Sequence, residues 1–275
     1  MLAHSIETSR STDPERYMLF LHGILGTRAN WRRIARRFVE ARPDWGAILI
    51  DLREHGDSLG FPPPHTLQTA AADLTELERS LSRPVGGALG HSFGGKVVLE
   101  WLRSREGQLT EAWTIDSSPS PREANPDTSA TAEVIRTLEA LPKKWASRDA
   151  FVAAMVEAGQ PPPIARWLAM NLRRTQDSQR SFGPDLGAIR DLIADYANTN
   201  SWSVVDALPE GCTLDLVIGG RSAMFSQSDR ERIERIAGQN PSVSVHVIEQ
   251  AGHWMHVDAP DALVTLLTSP RSPQR

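Results

Sequence analysis

Residues 89–96 read Leu89-Gly90-His91-Ser92-Phe93-Gly94-Gly95-Lys96, one serine set among three glycines. Upstream is a short apolar run, GGALG (86–90); downstream, KVVLEWLRS (96–104) carries apolar residues at helical spacing. A G-x-S-x-G run that ends a strand and opens straight into a helix forces the serine into a sharp turn, with small neighbours where a Cβ would clash. Such a turn lifts the hydroxyl above the sheet edge. It also aims the next backbone N–H, that of Phe93, at the place where an oxyanion would form. The competing interpretation is a tight turn with an incidental serine; the strand–turn–helix setting favours Ser92 as a nucleophile.

The flanking sequence has the rhythm such a turn needs. MLFLHG (18–23), AILIDL (47–52) and AWTID (112–116) are further apolar runs, and residues 31–42 and 66–81 carry apolar side chains at helical spacing. Asn30 is placed to cap the first of these helices. Apolar strands separated by helices predict an α/β fold, a mostly parallel doubly wound sheet covered on both faces. Ligands on such sheets gather at the carboxyl ends of the strands, where His22, Asp51, Ser92 and Asp116 fall. After SSPSPREANPD (117–127) the pattern changes: residues 120–199 hold helical stretches, NLRR (171–174) included, and no recognisable strand. Alternation resumes with TLDLVIGG (213–220), a helix over about 226–238, VSVHVIE (243–249) and DALVTLLT (261–268). The expected organisation is one core, residues 1–119 and 200–275, with a helical cap inserted over 120–199. The RSPQR tail (271–275) is expected to be disordered.

Composition narrows the classes. The 275 residues are 40% hydrophobic, enough for a full core, and the net charge of −4 comes from interspersed residues rather than blocks. With no basic arm to track phosphates, nucleic acid is not an expected partner. The single cysteine, Cys212, excludes an intramolecular disulfide and a cysteine-based metal cage. The histidines lack H-E-x-x-H or comparable ligand spacing, so neither a metal nor an organic cofactor is expected. No apolar run is long enough to span a membrane, and the first residues lack a signal-peptide core; a cytoplasmic protein, monomeric or homodimeric, is expected.

A serine needs a base within hydrogen-bond reach. His253, in EQAGHWMHVDAP (249–260), follows an apolar strand and a glycine turn, which puts its loop at the correct sheet edge; His256 is the alternative. His246 lies within the strand and reads as a face or core residue. The acid is harder to place. The loop after TLDLVIGG holds Gly219-Gly220-Arg221-Ser222, a serine at the loop position where an acid is sought. Asp215 is inside the strand, too early, and Asp229 is beyond the loop, on the helix surface. Asp116 closes AWTID at the end of a strand neighbouring the serine's, where it could fix the tautomer of His253; the competing role is a loop or capping aspartate.

Taken together, HGILGTRANW (22–31), DLREHGDS (51–58), GHSFGGK (90–96), TIDSSP (114–119), GGRSAMFS (219–226) and AGHWMHVDAP (251–260) resemble the α/β-hydrolase superfamily. Within it, the chain is similar to small bacterial acyl esterases related to the mitochondrial abhydrolase-domain proteins. The resemblance implies that Asp116 is the acid and that Ile24 gives the second oxyanion N–H.

The expected activity is hydrolysis of small-molecule acyl esters of short to medium chain, through Ser92, His253 and Asp116 and an acyl-enzyme. Thioesterase, lactonase, carbon–carbon hydrolase and perhydrolase chemistry on the same scaffold are rivals, as is a ligand-binding or signalling protein with a slow hydrolase site. Trp145, Phe151, Met155, Trp167, Leu168 and Met170 either line an acyl pocket or form the cap's own core. Phe61 and Trp254 sit on loops near the serine.

Overall fold

The computed structural model describes residues 1–10, 13–105, 109–122 and 130–269; the RSPQR tail lies outside them. The chain starts with β1 (His4–Glu7), β2 (Arg16–Leu21), α1 (Arg32–Ala41), β3 (Trp45–Ile50) and α2 (Leu67–Ser80). The turn carrying Ser92 joins β4 (Val85–His91) to α3 (Phe93–Ser104), and β5 (Glu111–Ile115) follows. Next come α4 (Ala130–Ala140), β6 (Lys144–Trp145), α5 (Arg148–Glu157), α6 (Pro162–Leu168), β7 (Leu172–Arg174), β8 (Arg180–Phe182), α7 (Leu186–Asn198) and α8 (Trp202–Asp206). The chain closes with β9 (Thr213–Gly219), α9 (Gln227–Gln239), β10 (Val243–Ile248), α10 (Met255–Asp258) and α11 (Pro260–Thr268).

Strands β3, β4 and β5 are buried along their whole length, as strands covered on two faces must be; β3 is apolar or glycine throughout, and β4 and β5 depart from that only at His91, Glu111 and Thr114. The seven-stranded sheet has the order β1-β3-β2-β4-β5-β9-β10. All its pairings are parallel except that of the edge strand β1 with β3. On one face the apolar sides of α2 and α3 form a core with Leu74, Val98 and Trp101; on the other, Trp31, Phe38 and Leu263 pack α1 and α11. Each large side chain so buried contributes roughly 1.5–3 kcal/mol.

The parallel register fixes where chemistry can gather. Leu21 pairs with Gly90, His91 with Ile115, Ile115 with Val217 and Gly219 with Ile248. The carboxyl ends of β2, β4, β5, β9 and β10 are therefore level, and the loops after them face one another.

Four local expectations need correction. The strand β1 was not foreseen, because four partly exposed residues at an edge carry too little apolar pattern to read. The region 120–199 does contain strands: β6, β8 and β7 form a small antiparallel sheet of two- and three-residue strands, too short for a period-two signal. In it, Leu172–Arg174 of the NLRR run is strand, because α6 stops at Leu168 and a 3-10 turn follows. Asn30 does not cap α1; it sits in a 3-10 turn over Arg28–Trp31, and its Oδ1 accepts the Thr27 N–H at 2.7 Å. Among the described residues no helix is long and apolar enough to cross a membrane.

Candidate active site

The turn after β4 is built on close backbone approach. A Cβ at Gly90 would stand 2.1 Å from the Gly94 carbonyl oxygen, and one at Gly94 would stand 2.5 Å from the His22 carbonyl oxygen. Strand, helix and neighbouring loop can pass only if both positions lack a side chain. Ser92 itself takes φ 51°, ψ −116°, a left-handed backbone that strains a residue with a Cβ by about 1–3 kcal/mol. Its surroundings impose this: the Ser92 N–H donates to Ile115 O at 2.9 Å, and Ser92 O accepts from Gly95 N at 2.9 Å and Ser117 Oγ at 2.6 Å. Phe93 is the first residue of α3, so its N–H precedes the helix's own hydrogen-bond ladder, at the positive end of the helix dipole.

The loop after β2 supplies the facing wall. His22 donates from Nδ1 to Gly23 O at 2.7 Å and accepts the Leu52 N–H on Nε2 at 3.1 Å. His55 accepts the Leu25 N–H on Nε2 at 2.9 Å and donates from Nδ1 to Arg53 O at 2.8 Å. Both rings must be neutral to accept on Nε2, and burial pushes their pKa values down to about 4 and about 3. With the Leu25 N–H held by His55 and the Gly26 N–H by Gly23 O, Ile24 carries the loop amide that these contacts do not engage. Asp51 accepts the Arg28 N–H at 2.6 Å, pairs with the Arg28 guanidinium and accepts the Asp57 N–H at 2.8 Å. It braces this wall instead of facing Ser92. From the region 120–199, Asn171 Nδ2 donates to Leu25 O at 2.8 Å.

Asp116 and His253 meet. The His253 Nδ1 lies 2.7 Å from Asp116 Oδ2. A carboxylate only accepts, so the proton is on Nδ1 and Nε2 is the nitrogen left to take a proton. Asp116 is fully buried with a φ of 47°, and it also accepts the Gly219 N–H at 3.1 Å and the Ser222 hydroxyl. Three donors on one carboxylate fix its plane and hence the plane of the imidazole. His91, at the end of β4, donates from Nε2 to the His253 carbonyl at 2.8 Å and so ties the histidine loop to the serine's strand. Burial holds the His91 pKa well below the ordinary value.

The other candidate residues make different contacts. His256 packs its ring against Trp31 at 5.3 Å and His91 at 5.2 Å, and its Nδ1 is buried with no hydrogen-bond partner among the described residues. Burial, then the adjacent His253, lowers its pKa to about 4. His246 pairs with Asp215 at 2.8 Å across β9 and β10, in the sheet and beneath the Trp113 ring. Asp229 is not on an exposed helix surface, contrary to expectation. It is buried in the first turn of α9, in a capping box with Ser226, and accepts hydrogen bonds from Ser118 and Ser120. A residue in a helix's first turn, facing the sheet end, reads in sequence like any polar helical residue.

Sequence reasoning missed Ser222, Asn171, Lys96 and Tyr196. Only Ser222 left a signal, as the serine in the place of an expected acid. Phe151, Met155 and Leu168 prove to be mutually packed core, whereas half-buried Trp167 meets Trp254, the residue after His253, at 5.4 Å between ring centroids. A cleft of about 310 Å³ lined by Leu138, Trp145, Phe151, Phe182 and Leu186 includes none of Ser92, Asp116 or His253.

Strained serine turn, level strand ends and a paired histidine and aspartate define an α/β-hydrolase architecture, and the chain belongs to the alpha/beta hydrolase family, whose model matches residues 18–266. It is 29% identical over 258 residues to the sn-1-specific diacylglycerol lipase ABHD11 of Danio rerio, covering 91% of this chain and 77% of that one. It is 24% identical over 259 residues to esterase YbfF of Escherichia coli K12, covering 94% of each. Among solved structures, a marine microorganism esterase matches with a TM-score of 0.82 at 20% identity, over 96% of this chain and 97% of that chain, a likeness of fold.

Proposed function

We propose that the protein is a serine carboxylic ester hydrolase working through Ser92, His253 and Asp116. The observation that carries this is the Asp116–His253 hydrogen bond of 2.7 Å at the edge where Ser92 is held at positive φ. Relatives named as esterases and lipases support the same class.

His253 Nε2 takes the Ser92 proton as Oγ attacks the ester carbonyl. The imidazolium is stabilised by Asp116, and the N–H groups of Phe93 and Ile24 hold the oxyanion; such donors are commonly worth roughly 3–4 kcal/mol each. The imidazolium then protonates the departing alcohol, and water cleaves the acyl-enzyme by the same steps in reverse. Residues 120–199 act as a cap, with Trp167 against Trp254 closing one side of the entrance and Asn171 steadying the oxyanion loop through Leu25.

Ser92→Ala is expected to abolish hydrolysis of p-nitrophenyl butyrate with the denaturation midpoint preserved, and a fluorophosphonate is expected to label the Ser92 peptide of the wild type alone. Retained turnover in Ser92→Ala removes the nucleophile.

A further inference from the structure

We infer that Lys96 is a positioning residue for the nucleophile: its buried ammonium fastens both crossings between core and cap to the first turn of α3, and so holds the Tyr196 side chain against Ser92. This rests on the serine-hydrolase reading above and adds to it a link between the cap and the reacting hydroxyl.

Lys96 is fully buried, one turn after Ser92. Its Nζ donates to Ser120 O at 2.8 Å, Tyr196 O at 2.9 Å and Thr199 O at 2.9 Å. An ammonium has three N–H bonds, and each meets a carbonyl. Ser120 lies where the chain leaves the core after β5; Tyr196 and Thr199 lie where it returns. The crossings are also joined to each other, by Arg122 N to Ala197 O at 2.8 Å and Ser201 N to Pro119 O at 2.9 Å. Without the ammonium, one buried and two part-buried carbonyls from two crossings would converge with no lysine donor between them.

The clamp fixes one side chain in particular. The Tyr196 ring lies over Lys96, with Nζ 4.4 Å from its centroid, and its centroid is 6.1 Å from that of Phe93. Its hydroxyl lies beside the Arg122 and Ser92 side chains, and burial, the larger influence, raises its pKa, keeping the phenol protonated. A guanidinium only donates, so Arg122 leaves the phenol's own proton available to Ser92 Oγ. A donor on that oxygen turns the serine's hydrogen away from the cap, toward the histidine.

The ammonium is also near its titration point. Burial, then Arg122, lowers its pKa to about 8, against the attraction of Glu100, Asp229 and Asp195. A neutral amine keeps two N–H bonds and turns a lone pair toward the third carbonyl, which loosens the clamp. A group with a lowered folded-state pKa releases its proton more readily in the native state, so this titration does not by itself lower stability as pH rises.

The test is a double-mutant cycle with Lys96→Met and Tyr196→Phe, read as kcat and KM for p-nitrophenyl butyrate and as the rate of fluorophosphonate labelling of Ser92. Each single change is expected to lower kcat and labelling about tenfold or more with KM nearly unchanged. The double variant is expected to be no slower than Lys96→Met, since the lysine acts through the tyrosine. Multiplying effects overturn the proposal, as does a Lys96→Met protein that loses only its denaturation midpoint. Should Lys96→Met fail to fold, the pH profiles decide. Wild-type kcat is expected to fall with a midpoint near the lysine pKa of about 8, a limb absent from Tyr196→Phe. A limb that is unchanged in Tyr196→Phe, or missing from the wild type, refutes the link. Ser92-dependent activity with independent effects removes the Lys96 role alone, whereas full activity in Ser92→Ala removes the reading beneath it.

Discussion

Replacing Asp116 by asparagine keeps the volume of the group and changes which of its partners can be satisfied. The carboxylate accepts from Gly219 N on one oxygen and from His253 Nδ1 and Ser222 Oγ on the other. An amide has one oxygen and one NH2. If the oxygen stays on Gly219, the NH2 faces His253, Nδ1 turns acceptor, and the proton moves to Nε2, where it blocks transfer from Ser92. The Ser222 hydroxyl can rotate to accept from the same NH2, so nothing opposes this arrangement. The reverse orientation sets NH2 against the Gly219 N–H and leaves a buried donor unpaired, a cost of about 1–3 kcal/mol. The wrong tautomer therefore dominates. Loss of the correct tautomer lowers turnover by about 10⁴ in the serine-protease triad; with a minor fraction of correct tautomer here, kcat is expected to drop by about 10³–10⁴, or about 4–5.5 kcal/mol. The assay is p-nitrophenyl butyrate hydrolysis, corrected for spontaneous ester cleavage, alongside a urea denaturation curve. A folded Asp116→Asn protein with kcat within about tenfold of wild type refutes the reasoning.

Ser222→Ala removes one donor from the same carboxylate oxygen and is expected to lower kcat about 10- to 100-fold, from the about 1.5–3 kcal/mol of a hydrogen bond to a charged group, with KM little changed in steady-state assays. Gly94→Ala places a Cβ 2.5 Å from the His22 carbonyl and 2.9 Å from that of Leu21; both are backbone atoms that cannot swing aside, so a large loss in the urea midpoint is expected. Stability is expected to fall on acidification. His22, His55 and His256 have pKa values lowered to about 4, about 3 and about 4 by burial. Between the ordinary histidine value of 6.5 and those values the unfolded chain binds protons that the native chain does not. The stability is complete above the unfolded value and is lost as pH falls toward the folded ones, by about 1.4 kcal/mol per histidine for each pH unit. A urea midpoint that stays level as pH falls through this window contradicts the assigned neutral states.

Much of the fold was legible because parallel strands buried on both faces must be largely apolar, as β3 is throughout and β2 is beyond Arg16, and because α1 and α2 keep an apolar stripe at helical spacing. Ser92 was legible through the glycines that its turn requires. Asp116 and His253 were legible as residues closing or following strands, since the level register brings such positions together. What stayed hidden depends on contacts across the chain. Asn171 and Tyr196 sit in short or amphipathic pieces where a functional side chain looks like any other, and Lys96 reads as a solvent-facing helix residue until its three carbonyl partners are seen. The two- and three-residue strands of the cap sheet have no periodicity to detect.

The convergence of Ser92, His253 and Asp116 on one reacting centre is tested most directly by a crystal structure of the fluorophosphonate-treated protein. The account predicts phosphorus bonded to Ser92 Oγ, a phosphonyl oxygen about 2.7–3.1 Å from the Ile24 and Phe93 nitrogens, and His253 turned to the adduct with its Nδ1 still on Asp116. An adduct on another residue, or an oxygen directed away from both amides with His253 detached from Asp116, contradicts it.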